Sequence, residues 1–373
     1  MRGRTDRQGG IFYAIQLESL VPQDHFLRRV KRLADEEMKR LAPRFAPAYS
    51  HTGRPSIPPE QLIKASLLQA LYSIRSERQL CEQIGYNLLY RWFLDMKPDD
   101  RVWDPTTFTQ NRERFHEHGL MQAFFDSAVA RSIQEEAVSV EHYSVDGSLI
   151  QSFASIKSFR PKEEKKPPKD PGNGWVDFHG ERRSNETHES KTDPEAKLFR
   201  KGPGHEAKLS HSIHALMENR NGLLMAMEVE HAGVRIERDA ALSMLKRLRR
   251  RHGIWPKTLA ADKGYDAGEF LLALEREHGL IPHVAIRQGA IRAQGEEADA
   301  RRRARKRQKT LAYRLSYRTR PAIEKIFAWL KEIAGLDRTR FARRWKTKLY
   351  GLAAGAAYNL MRLARLPERA PTA

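Results

Sequence analysis

The sequence predicts an α/β protein: a mixed sheet flanked by helices, preceded by an all-helical N-terminal region. Three observations carry this. Residues 1–136 show apolar residues at helical spacing and almost no strand-like alternation. From residue 141 the pattern turns to β-branched and aromatic residues near period two. Beyond the hairpin signal near residue 222, strands and helices alternate, as in a sheet covered by helices.

In the first region, DHFLRRVKRLADEEMKRLA (24–42) predicts a helix with Asp24 as N-cap and a stripe of Phe26, Val30, Leu33 and Leu41. Pro58 and Pro59 suit the start of a second, lined by Leu62, Ile63, Leu67, Ala70, Leu71 and Ile74. Ser76-Glu77-Arg78-Gln79 and Thr107-Phe108-Thr109-Gln110 both read as capping boxes. Leu88, Leu89, Trp92 and Phe93 form a short apolar patch, and a further helix covers about 121–136. Arg75, Arg78, Arg91, Arg112 and Arg114 are expected on polar faces. Such short helices could hold a helix-turn-helix, or be an ordinary bundle with solvated arginines.

EHYSVDGSLIQSFAS (141–155) is a strand, with Asp146 inside an otherwise uncharged run. A loop-rich insertion is expected at about 157–204, where FRPKEEKKPPKDPGNG is dense in Pro, Gly and charge. KLSHSIHALM and LLMAMEVEHA, joined through Asn221-Gly222, predict a hairpin. About 237–253 is a helix with a basic tail, KTLAADKGY a strand ending at Asp262, about 267–278 a helix and IPHVAIR a short strand. Residues 287–314 are Arg-dense without clear periodicity. Their charge suits DNA, and equally a solvated loop. Two helices, about 321–333 and 345–364, close the order.

Composition narrows the function. The formal net charge is +20 and the isoelectric point about 10.1. Such a field attracts polyanions, and nucleic acid fits it better than a membrane surface. No apolar run reaches the roughly 18 residues of a membrane span. No secretory signal is evident at the start of the chain. Cys81 is the lone cysteine, which excludes a disulfide scaffold and a cysteine-ligated zinc and suits a reducing cytoplasm. His205, His211 and His214 lie close in sequence, but strand alternation turns His214 away from the other two, against a zinc site.

Acids offer the chemistry. Asp146 and Asp262 fall where open α/β sheets gather ligands, though Asp146-Gly147 is also a turn dipeptide and Asp262 could simply cap a turn. Two such carboxylates and a third from a helix make an all-oxygen divalent-cation site. In YRTRPAIEKIFAWLK (317–331), Ile323, Ile326, Phe327 and Leu330 form a buried face, and Glu324 lies beside it in a stripe with Arg320 and Lys331. A solvated Arg320–Glu324 pair is the plainer reading of that stripe.

Tyr317-x2-Arg320-x3-Glu324-x6-Lys331 resembles the Y-R-E-K signature of bacterial insertion-sequence DDE transposases. YSVDGSLIQSFAS and LAADKGYD resemble their two Asp segments. GRPSIPPEQLIKASLLQALYSIRSERQLCEQIGYNLLYRWFLD and DPTTFTQNRERF resemble their helical domain. The likeness spans most of residues 50–365 and is closest to the insertion-sequence-five family. It implies a ribonuclease-H-like catalytic domain over 141–365 and a DNA-binding helical domain over 1–136. It implies that Asp146, Asp262 and Glu324 are the catalytic, metal-binding triad, with two Mg²⁺ expected and Mn²⁺ able to substitute. Tyr317, Arg320 and Lys331 would hold end phosphates, with Arg78 and Arg112 adding DNA contacts from the helical region. The partners implied are terminal inverted repeats and target DNA, bound by a homodimer. The reaction implied is end cleavage and strand transfer. A non-catalytic DNA-binding protein, or a metal nuclease without strand transfer, remains open on the residues alone.

Overall fold

The computed structural model describes residues 16–50, 52, 55–162, 183–200, 202, 206–233 and 235–367. The helical region runs α1 (Leu17–Leu20), α2 (Phe26–Phe45), α3 (Pro59–Leu71), α4 (Glu77–Tyr86), α5 (Leu88–Phe93), α6 (Thr106–Glu117) and α7 (Leu120–Gln134). Ser76 caps α4, its hydroxyl accepting from the Gln79 amide, as its sequence predicts. Two predicted caps shift. His25, not Asp24, accepts from the Leu27 amide at α2, and α6 starts one residue before Thr107, with Asp104 accepting from the Thr106 amide. Asp104 is simply the nearer acceptor to the first free amide of that helix.

The sheet follows: β1 (His142–Gln151), β2 (Phe159–Pro161), β3 (His188–Ser190), β4 (Lys197–Phe199), β5 (Lys208–Glu218) and β6 (Leu223–His231). Then come α8 (Ile236–His252), β7 (Thr258–Ala261), α9 (Gly268–Arg276), β8 (Ile281–Val284), α10 (Glu296–Arg307), α11 (Leu311–Thr319), α12 (Ala322–Ala328), a π-helical turn (Trp329–Ile333) and α13 (Arg344–Arg365). The main path is β6-β5-β1-β7-β8, with β4 beside the first residues of β5. β5 runs antiparallel to β1 and to β6, while β7 is parallel to β1 and β8 to β7. The Asn-Gly turn is realised, Gly222 taking φ +64°, which a side chain would resist. The predicted insertion holds only the small β2–β3 pair and β4 among its described residues; positions 163–182 and His205 lie outside them.

β5 and β6 are buried along almost their whole length, because α8 and α13 both pack on β6. α13 also packs on α2, α3, α6 and α7, so one hydrophobic core runs from Val21 to Leu363 through both regions. Residues 287–314 differ from their featureless reading. They hold α10, seated on α9, and the first turn of α11. α10 buries only alanines, Ala298, Ala300 and Ala304, and ties its arginines to acids: Arg301 to Asp266 at 2.7 Å, Arg307 to Glu275 at 2.6 Å.

Candidate active site

β1 alternates, so with Tyr143 and Val145 buried on one face, Asp146 falls on the other with Ser144. It is mid-strand, paired with Ala215, and begins no hairpin. Its Oδ1 accepts from the Gly147 amide at 2.8 Å. On the parallel neighbour, Asp262 follows the last residue of β7 and caps the turn Lys263–Tyr265, accepting from the Gly264 amide at 2.8 Å.

Arg320, between α11 and α12, links the two aspartates. Its Nη2 lies 3.4 Å from an Asp146 oxygen and 4.0 Å from an Asp262 oxygen. Its guanidinium also stands over the Tyr317 ring, 5.7 Å from the centroid, and Tyr317 stacks on Tyr313 at 5.1 Å. Tyr317 thus belongs to α11, a helix of its own ahead of Glu324. α12 is seated by Ile323, Ile326 and Phe327, all buried, and packs on β1. Glu324 is exposed on its first turn, where a helix favours an acid.

The charges act on one another. Asp146 is pushed up to about 6, first by burial and then by the charges of Asp262 and Glu324, against the Gly147 amide and Arg320. A fourth acid belongs to the group. Glu237, in the first turn of α8, is raised to about 7 by burial and by Asp262 and Asp146. Among the described residues no three acidic, imidazole or thiol side chains are gathered closely enough to hold an ion; Asp146 and Asp262 share Arg320 instead.

Two matches decide the family. Residues 15–114 match the model described as "Transposase domain (DUF772)", and residues 184–360 match "Transposase DDE domain". The chain belongs to the DDE-type transposases. The mixed sheet with flanking helices is the fold expected of it. No curated protein matches. Among solved structures, the chain is similar to "Mos1 transposase paired-end complex with left transposon end", at 12% identity over 80% of this chain and 86% of that one, and to "Crystal structure of a pre-cleavage Mos1 transpososome", at 13% over 85% and 82%. The TM-score is 0.21 for each, too low to bear on this transposase's chemistry.

Of the residues expected at the transposase's site, Asp146 and Asp262 lie on and just after the neighbouring central strands β1 and β7, Arg320 links them, Tyr317 lies beneath Arg320, and Glu324 is on α12, which packs on β1. Lys331 sits on the π-helical turn, 4.0 Å from Asp337. Arg78 is exposed on α4, apart from this group. Arg112 corrects the expectation of a polar face: its side chain is 10% exposed, pairs with Glu77 at 2.9 Å and lies over Phe341 at 4.7 Å. Arg91 is likewise buried, donating to the carbonyls of Gly85, Lys97 and Asp100. Helix phase alone does not reveal such burial, because a neighbouring helix covers the polar side. Of the histidines, His211 pairs with Asp193 and His214 with Ser212, so the two do not share a centre. The sequence reading passed over Glu237. Its signal was an acid opening the helix directly after a long strand, but any acid there already has a local explanation in the helix dipole.

Proposed function

We propose that this transposase cuts phosphodiester bonds at the ends of an insertion element and joins the freed 3′ ends to target DNA. The proposal takes Asp146, Asp262 and Glu324 as the catalytic triad of an insertion-sequence-five-like enzyme with the Y-R-E-K signature. The observation that carries it is the meeting of Asp146 and Asp262, 116 positions apart in the chain, within 4.0 Å of one Arg320 nitrogen.

The donor set fits a hard divalent cation: carboxylate oxygens only, one from the middle of β1 and one just after the end of the adjacent β7, each beside a glycine. Asp146, Asp262 and Glu324 would hold Mg²⁺, two ions in this reading, or Mn²⁺ in its place. Bound there, the cation supplies charge stabilisation at the attacking and leaving oxygens. The side chains do the rest. Arg320 presents a fork suited to a phosphate, and stacking fixes its approach from the Tyr317 side. Lys331 adds a second cation on the same segment. DNA ends and target are the substrates, a homodimer on paired ends is the assembly, and the cytoplasm is the location in this proposal.

The test incubates the purified chain with duplex end DNA, target DNA and Mg²⁺. Joined products are expected. Asp146→Asn, Asp262→Asn and Glu324→Gln should each lower cleavage by about 10²–10³-fold or more, as when a charge-stabilising group is removed. Free 3′ ends without joining would leave a nuclease. End binding without cutting by the unaltered chain would leave a non-catalytic DNA-binding protein.

A further inference from the structure

We infer that Glu237 is a fourth cation ligand of this site, reaching a divalent metal from α8 between the backbones of Gly147 and Gly264. The inference rests on reading Asp146 and Asp262 as metal ligands.

Position is the first ground. One Glu237 oxygen lies 3.4 Å from where a Cβ on Gly147 would stand, and the other lies 3.5 Å from the same point on Gly264. An Asp262 oxygen is 3.0 Å from that second point. A single carboxylate therefore straddles the two glycines that accompany the two aspartates. A side chain at either glycine would intrude on it. The sequence leaves that space open twice, once on β1 and once in the turn that follows β7.

The lack of a bonded counter-ion is the second; Arg238 acts on Glu237 only through space. Glu237 is half-buried and makes no hydrogen bond or ion pair among the described residues. Other sunken acids of this chain hold partners: Asp266 with Arg301, Glu275 with Arg303 and Arg307, Glu228 with Arg247 and Lys348, and Glu218 with the amides of Ser139, Arg220 and Asn221. In a chain with a net charge of +20, an arginine partner was readily available. An acid kept out of water without one awaits a positive charge from outside the polypeptide. An acid serving only the α8 dipole would do so equally well at the surface.

Two orphaned polar atoms point the same way. His214, opposite Gly147 in the β1–β5 register, is fully buried, and its Nδ1 has no partner. That nitrogen lies 2.9 Å from the Gly147 Cβ point that Glu237 also approaches. The Tyr265 hydroxyl is buried without a partner too, within electrostatic range of Glu237, Asp146 and Asp262. Buried polar atoms left unpaired around an unpaired acid are the surroundings of a bound group.

The test measures Mn²⁺ binding to the DNA-free full chain, by calorimetry and by loss of the free-ion resonance signal. Glu237→Gln should weaken binding about tenfold or more, comparable to losing a group that supports a metal site. It should also shrink the metal-induced rise in melting temperature. Glu237→Asp keeps the charge but is too short to straddle both glycines, so about threefold or more is expected; it carries the test should the Gln variant not fold. Wild-type Mn²⁺ affinity in Glu237→Asp and in folded Glu237→Gln, with binding lost in Asp146→Asn and Asp262→Asn, overturns the inference and leaves the triad standing. Unchanged binding in all of these variants, or none in the unaltered chain, overturns both.

Discussion

Burial opposes the charge of Asp146, and that gives the site a pH signature. Its carboxyl titrates near 6 in the folded chain, against 3.8 for the free group. A raised carboxyl stabilises the fold only while protonated, so the cost is absent below about pH 4 and complete above about pH 6. Without metal, Asp146→Asn should match the wild type near pH 4. It should exceed it by about 2–3 kcal/mol at pH 7–8. Urea unfolding in chelator across that range reads the difference directly; a gap that fails to widen with pH would contradict the burial argument. Under the proposed mechanism the same variant should also lose cleavage, in which case this residue trades stability for chemistry. At this scale the sequence singled out Asp146 and Asp262, each beside a plainer turn reading; Asp146 lies mid-strand rather than in a turn, while Asp262 does cap the turn Lys263–Tyr265. The burial of Arg112 was not legible, since it depends on Phe341, more than two hundred positions away.

Among the elements, α10 shows how a segment escapes sequence reading. Its inward residues are alanines, so no large apolar period marks it, and its arginines looked like a free basic run. They are fastened to α9 and its surroundings instead. Arg301→Ala strips the bidentate partner from Asp266, whose side chain is fully buried. A loss of about 3 kcal/mol in equilibrium unfolding is expected, as for a buried pair broken on one side. α13 was legible from Leu and Ala spacing, but its polar rivet was not. Asn359, fully buried, donates to the Leu224 carbonyl at 2.7 Å and accepts from its amide at 2.9 Å. Asn359→Leu orphans both groups within β6 and should cost about 2–4 kcal/mol by the same measurement. The basic tail of α8 is also partly engaged within the chain: exposed Arg249 lies over Trp255 at 4.1 Å and Arg251 is 3.7 Å from Asp126.

For the whole molecule, the order of strands along the chain was readable, apart from the short strands of the insertion. The continuity of the core was not. Sequence patterns change at residue 141, which suggests two independent halves, yet α13 packs on four N-terminal helices and on β6. Gly355 marks how close that approach is: a Cβ there would meet Leu224 and the Phe125 ring at 2.9 and 3.0 Å. Thermal unfolding should therefore be one transition by near- and far-ultraviolet dichroism, and a fragment ending at residue 140 should not hold its helices. Two separated transitions would refute this. The net charge of +20 should make binding to DNA strongly salt-dependent, about 10³-fold weaker at 200 mM than at 50 mM salt if six phosphates are met.

The placement of α13 has an outcome for the gene. The ribosome delivers this helix last among the core elements, after every surface it covers. A message interrupted before codon 344 releases a polypeptide whose helical half has nothing to close it. Such a product is expected to stay unfolded, so a truncated copy of the gene should yield no stable fragment of the helical region.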